Sequence, residues 1–441
     1  MDPLVGTLVL ILLALVGSRI SFSTERVPDG PRLLFRTGTH FLILGFLLGP
    51  SGLGLLSDAS MAGLSPFLAL GLGWVGFHFG LQFDRESLAH FPWSYHVLGA
   101  GQAILTFALF LGGAYAAAFL LGVADDVSPV LLVGAAATAS VTTPACIAMV
   151  SSNFMVRGDT RDLLFFIGSL DAAVGIVALQ VTYSLFRPAT TPGGAGELSQ
   201  LALLGVAAGL GIVLGIVYVW LVRRRPATEE LVLYVLGICA LAAGLALQWA
   251  LSPLFVSVVM GVVVANWVRD RQRVFALLQR WEKPVYLSFL MLAGALLDTP
   301  SVLLVGLALG YALLRAVAKT VGAAAMVSVV PLRFEVPRRL GLGLIPQGGI
   351  SLTMAVSGVL TYTGLQVRGA AAEGALFTVI VLGVMMSELV GPFFTVQLLR
   401  RAGEITPQVE AALAKGDQRH AEREALRHTT PSRRERGESG P

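Results

Sequence analysis

Charge is what this sequence has least of: 13% of its 441 residues are Asp, Glu, Lys or Arg, against 55% that are hydrophobic. Soluble domains carry about a quarter charged residues, so the composition excludes an ordinary water-soluble fold and makes the bilayer the main solvent. Cysteine is nearly absent. Cys146 and Cys239 both lie in apolar stretches, which excludes a disulfide framework and leaves buried packing as their expected role. Lysine is as rare, with Lys283, Lys319 and Lys415 the full set. The net charge of +4 comes from arginines spread over short loops, so nucleic acid is not implied as a partner. No glycine-rich βαβ pattern occurs, which leaves no nucleotide-sensing domain and no implied cofactor. Residues 1–20 lack the basic start and cleavage site of a secretory signal and are expected to be a retained first span. The lack of eukaryotic targeting signals points to a bacterial plasma membrane.

What is present is a succession of apolar runs, each near the roughly 20 helical residues that cross a bilayer. They predict an all-α membrane protein with about 13 transmembrane helices, at 3–19, 34–54, 61–83, 95–122, 128–151, 162–186, 199–222, 230–249, 252–266, 284–298, 301–330, 339–361 and 371–399. With alternate loops on opposite sides, one side collects Arg19, Arg26, Arg32, Arg36, Arg85, Arg157, Arg161, Arg223, Arg224, Arg225, the cluster at 269–283, and Arg333, Arg338 and Arg339. The other side holds Arg187 and Arg368. The positive-inside rule therefore predicts an outside N-terminus and a cytoplasmic C-terminus. Residues 268–278 alternate arginines with Val268, Val274, Phe275 and Leu278, the pattern of a helix lying at the interface. Residues 1–401 form the membrane domain, and 402–441 are expected to be a disordered polar cytoplasmic tail.

An ionisable group inside a span costs about 2.5–3.5 kcal/mol on insertion scales, so those near mid-depth need a reason. Asp171 lies about ten residues into its apolar run. A carboxyl group there can hold a proton or, once deprotonated, offer hard oxygen ligands to a small cation, but not both at once. That competition is the chemistry of exchange; the alternative is a carboxylate paired permanently with Lys or Arg to fix packing.

The preceding span carries Ser140, Thr142, Thr143 and Pro144 in an otherwise apolar helix. Proline removes a backbone donor and opens the ladder, freeing carbonyls beside the three hydroxyls. A second span is interrupted in the same way by Pro346, Gly348 and Gly349. Two broken helices seven spans apart suggest inverted-topology repeats, spans two to six against nine to thirteen, with the breaks crossing near the midplane. Lys319, with Arg315 one turn away on the same helix face, offers a counter-charge for Asp171, the alternative for Arg315 in particular being to snorkel to the interface. Glu388 is a second intramembrane carboxylate, divided between a coupling role and a helix contact, and His78 is expected to be structural.

In order along the chain, Gly49-Pro50-Ser51-Gly52-Leu53-Gly54, Gly80-Leu81-Gln82-Phe83-Asp84, Ser252-Pro253 to Gly261, Ala318-Lys319-Thr320-Val321-Gly322, Pro346-Gln347-Gly348-Gly349 and Glu388 to Pro392 resemble the monovalent cation/proton antiporter superfamily, in its Kef-type and sodium/proton branch. The resemblance implies a membrane-embedded homodimer in which a core domain (about 61–186 and 284–361) moves like an elevator against dimerisation helices (about 1–54 and 199–266). It implies a monovalent cation, Na+, Li+ or K+, and protons as substrates, with the cation at Asp171, Lys319 as the family's lysine, and Thr142, Thr143 and Pro144 as the unwound stretch. Three positions depart from the pattern: Leu170 stands where electrogenic members have a second acid, Gln347 where the family often has arginine, and Thr143 where some relatives have an acid. One carboxylate in place of two leads to the expectation of electroneutral exchange. A sodium-coupled organic-anion symporter and a channel-like or sensory subunit are the rival readings.

Overall fold

In hydrocarbon every backbone N–H and C=O must find a partner within the protein, which leaves helices as the natural solution for apolar runs of this length. The computed structural model describes residues 38–123, 127–186, 200–224, 226–249, 251–332, 334–363 and 371–414. These form sixteen α-helices and no strand. The predicted first span, Arg187, Arg368 and the chain beyond 414 lie outside the described residues.

α1 (Thr39–Leu48), a short α2 (Asp58–Gly63), α3 (Ser65–Gly80) and the single turn-and-a-half of α4 (Arg85–Ala89) lead to the long α5 (Trp93–Leu120). A broken helix follows, α6 (Pro129–Ala139) and α7 (Pro144–Asn153), then α8 (Asp159–Leu185). After α9 (Gln200–Val222) and α10 (Thr228–Gln248) the pattern recurs: α11 (Pro253–Trp267), α12 (Arg271–Ala295), α13 (Val302–Val329), a 3₁₀ turn (Leu340–Leu344) leading into α14 (Gly349–Thr363), and α15 (Ala371–Arg401). α16 (Pro407–Ala414) is the last described element. Seven stretches among the described residues are long and apolar enough to cross a membrane: Trp93–Leu120, Pro129–Asn153, Asp159–Leu185, Ala202–Val222, Thr228–Gln248, Val302–Val329 and Gly374–Arg401. Shorter apolar helices accompany them, and the protein is an integral, multi-pass membrane protein.

The helices sort into two packed groups. In one, α3 lies along α11, with α9, α10 and α12 around them and α1 against α12. Lipid tails are as apolar as the helices, so close contact between small residues drives such packing. Gly80 faces Gly261 so closely that a Cβ on either would meet the other's Cα at 2.9 Å. In the second group α13 packs on α5 and α15, α8 on α5, and the two broken helices thread between them.

α3 presents a strip of Gly73, Gly76 and Gly80 that admits α11, and α12 packs on α1 and α3. Two expectations shift. The expected interface helix at 268–278 is continuous with the tenth span as α12. Its Val274, Leu277 and Leu278 are buried against the first group, and past the interior Pro284 the Ser288 hydroxyl donates to the Pro284 carbonyl at 2.8 Å. Residues 407–414 of the expected disordered tail are helical, since Val409 and Ala412, one turn apart, bury against Met155. Just before this helix Glu404 accepts the backbone N–H groups of Thr160 and Arg161, at 2.7 and 3.1 Å, and so caps the start of α8.

Candidate ion-binding site

The helical ladder of α6 stops at Ala139, and Pro144 forces the residue before it out of the helical region. Thr143 is accordingly extended, with φ −96° and ψ 120°. On the other broken helix, Ile345 to Gly348 separate the 3₁₀ turn from α14. These two irregular stretches cross and supply each other's missing partners. The Thr143 N–H donates to the Pro346 carbonyl at 3.1 Å, and the Thr142 hydroxyl to the Leu344 carbonyl at 2.9 Å. Gly348 is required here, because a Cβ would lie 2.7 Å from Thr143 Oγ1.

Beside the crossing, Asp171 on α8 is fully buried. A carboxylate only accepts, and three donors surround it. Lys319 Nζ lies 2.5 Å from Oδ2 and Gln102 Nε2 3.2 Å from the same oxygen, while the backbone N–H of Thr142 reaches Oδ1 at 3.1 Å. The broken helix thus contributes to the carboxylate through its backbone. The hydroxyl of Thr142 is turned to the opposite strand of the crossing, and that of Ser140 donates to Ala137 O of its own helix at 2.8 Å.

Arg315, fully buried one turn before Lys319, neither snorkels nor hydrogen-bonds Asp171. Its guanidinium donates to Ile345 O, to Val141 O at 2.6 Å and to Leu344 O at 3.3 Å. These carbonyls sit where the two half-helices end, at the negative poles of their dipoles, so a positive charge there answers both. Gln347, at the position that departs from the family pattern, is also fully buried; its amide N–H groups reach Thr138 O at 2.9 Å and the Tyr311 hydroxyl at 3.0 Å. Glu388 is 6% exposed on α15, the helix that packs on α7. His78 lies in the other helix group, its ring 5.0 Å from that of Phe275. Leu170 rests against Gly99 of α5, so the position before Asp171 faces a helix contact.

The structure therefore brings Asp171, Lys319, Arg315, Thr142, Thr143, Pro346 and Gly348 together and leaves His78 apart. The sequence reading missed Gln102 and Tyr311. A polar side chain at 102 within an apolar helix was the available signal.

The model of the sodium/hydrogen exchanger transmembrane family matches residues 9–401 of this chain. Two solved structures of the sodium proton antiporter MjNhaP1 from Methanocaldococcus jannaschii are similar to it. The one at pH 8 has a TM-score of 0.64 at 17% identity, covering 90% of this chain and 100% of that one. The electron-microscopy structure has a TM-score of 0.59 at 17% identity, covering 92% and 97%. At that identity the likeness establishes a common fold. A comparison with curated proteins gives no match.

Proposed function

The chain belongs to the sodium/hydrogen exchanger family, and from the site we propose that it exchanges a monovalent cation, Na+, Li+ or K+, for protons, with Asp171 as their shared carrier. The observation that carries this is the partner set of Asp171: one fully buried carboxylate held by a fixed backbone N–H, by the Gln102 amide at 3.2 Å and by a single ammonium at 2.5 Å. An ammonium is a point charge on a flexible stem, which an incoming cation can replace. A proton on the carboxyl group weakens the same pair. Cation and proton therefore compete with Lys319 for one oxygen, and neither is carried with the other. Thr142 and Thr143 bound the site, Arg315 holds the crossing together, and Glu388 stands toward α7 as a helix contact.

The division into two helix groups supports an elevator. The group of α5 to α8 with α13 to α15 carries the site across the bilayer against the group of α1 to α3 with α9 to α12, and the latter forms the contact of a homodimer. Exchange is electroneutral: with Leu170 against α5, one carboxylate trades one proton for one cation.

Reconstituted vesicles containing a pH dye, given Na+, Li+, K+ and Rb+ in turn, test the reading. Proton counter-flow that depends on the cation and disappears in Asp171→Asn is the expected result. Counter-flow that persists in Asp171→Asn overturns the carrier assignment, and uptake of an organic anion with sodium but without proton counter-flow overturns exchange itself. A current on a solid-supported membrane that scales with transport overturns electroneutrality.

A further inference from the structure

Gln102 is fully buried on α5 and touches the same carboxylate oxygen as Lys319. Its orientation is dictated by chemistry. An ionised carboxylate has no hydrogen to give, so the amide must present Nε2 to Asp171, at 3.2 Å. A bound cation reverses that demand, since it attracts the carbonyl oxygen and repels the N–H groups. The neighbour at the other end of the amide accommodates both. Thr106, one turn along α5 and fully buried, donates its hydroxyl to Gln102 Oε1 at 3.5 Å. A hydroxyl both donates and accepts, so after a 180° turn of the amide it can accept from Nε2 instead. Either orientation leaves the amide with a partner at each end, which removes the usual penalty for rotating a buried polar group.

We propose that Gln102 is a cation ligand that works by this amide turn: it donates N–H to Asp171 when Lys319 occupies the site and presents Oε1 to the cation when Lys319 is displaced, thereby setting selectivity among monovalent cations. The inference rests on the reading of Asp171 as the shared carrier and deepens it by naming a second, neutral oxygen. Carbonyl oxygens discriminate between small cations through their number and field strength, so a single added carbonyl changes relative affinities as well as overall affinity.

Vesicle assays of wild type, Asp171→Asn, Gln102→Met, Gln102→Glu and Thr106→Val, each with Na+, Li+ and K+, test it. Gln102→Met keeps the bulk and removes both ends of the amide. Its apparent KM is expected to rise about tenfold for the preferred cation, the equivalent of one lost ligand, and less for the others, with kcat retained. Gln102→Glu keeps an oxygen and is expected to hold KM near or below the wild-type value. Thr106→Val removes the adaptable partner and should lower kcat more than it raises KM, with Thr106→Ser restoring it. Equal KM increases in Gln102→Met and Gln102→Glu would show that the N–H donor alone matters and overturn the ligand role. A uniform loss across all cations, or no change, would also overturn it. If Gln102→Met is not recovered folded, the Gln102→Glu and Thr106 variants decide. Failure of the underlying reading looks different: wild type would show no cation-dependent proton flux, or Asp171→Asn would keep it.

Discussion

Lys319 and Arg315 lie one helical turn apart on α13, both fully buried, and are used in opposite ways. Lys319 ends on a carboxylate, through one short contact at 2.5 Å. Arg315 ends on three backbone carbonyls from two different broken helices. A lysine-carboxylate pair is an arrangement of two monopoles in which either partner can be exchanged for another ion or neutralised by a proton. A guanidinium bonded to carbonyls has no such alternative, because carbonyls carry no net charge and the planar fork holds several of them at once. The same helix therefore supplies a replaceable charge and a fixed one. On the proposed function, the difference lets the site be emptied and refilled while the crossing beside it keeps its shape.

The sharpest break of this comparison is Arg315→Gln. It removes a charged donor from three buried carbonyls, and hydrogen bonds to charged groups contribute about 1.5–3 kcal/mol apiece without adding fully. A stability loss of about 3 kcal/mol is expected in thermal unfolding of the detergent-solubilised protein. Wild-type stability in this variant would mean that Arg315 does not clamp the crossing. Lys319→Gln should differ. A neutral amide takes the ammonium's place and Asp171 can take up a proton, so the loss of stability is expected to be smaller than in Arg315→Gln, but the pH profile of exchange moves because a charge has left the carrier. An unmoved profile would remove Lys319 from the transport cycle.

The unequal legibility of these residues has a physical origin. Asp171, Lys319 and the two prolines are marked in the sequence by insertion cost and by broken ladders, which are local properties. Arg315 carries the same mark, but depth along the sequence does not distinguish a side chain that snorkels from one that finds carbonyls. Those carbonyls become a target when residues 141 and 344–345, some two hundred positions apart, are brought together by folding. Gln102 is harder still, since a neutral amide in a span is cheap and is defined by a neighbour on another helix. The apolar runs located the helices well. The packing of α3 on α11 depended on which glycine faces met, and hydropathy does not record that.

A smaller effect is expected from Thr142→Val. The hydroxyl lost there donates across the crossing to Leu344 O at 2.9 Å, a buried hydrogen bond worth about 1 kcal/mol net. The backbone N–H that reaches Asp171 survives the change. Its aim depends on the stretch the hydroxyl helps to hold, so the apparent KM for the cation should rise by a few-fold, about what 1 kcal/mol allows, with kcat less altered. A KM equal to wild type, measured with the preferred cation, would show that the Thr143 to Pro346 backbone bond and the Arg315 clamp are enough to keep Thr142 in place.

Ser140→Ala should have the smallest consequence, and it separates hydroxyls that touch the site from one that only neighbours it. Ser140 is as buried as Thr142 and two residues away, and by composition the two are equivalent oxygen donors. In the fold they differ. Ser140 is the residue at which α6 ends, and its hydroxyl turns back to Ala137 O at 2.8 Å, satisfying one of the carbonyls that every helix end leaves over. Removing it costs about 1 kcal/mol, because the carbonyl loses a partner, and touches neither Asp171 nor the opposite broken helix. The expected outcome is a slightly lower unfolding temperature with KM ratios among Na+, Li+ and K+ identical to wild type. A selective rise in KM for one cation would place the Ser140 hydroxyl among its ligands, which requires that it rotate away from Ala137 when the cation binds and would extend the exchangeable side of the crossing onto α6.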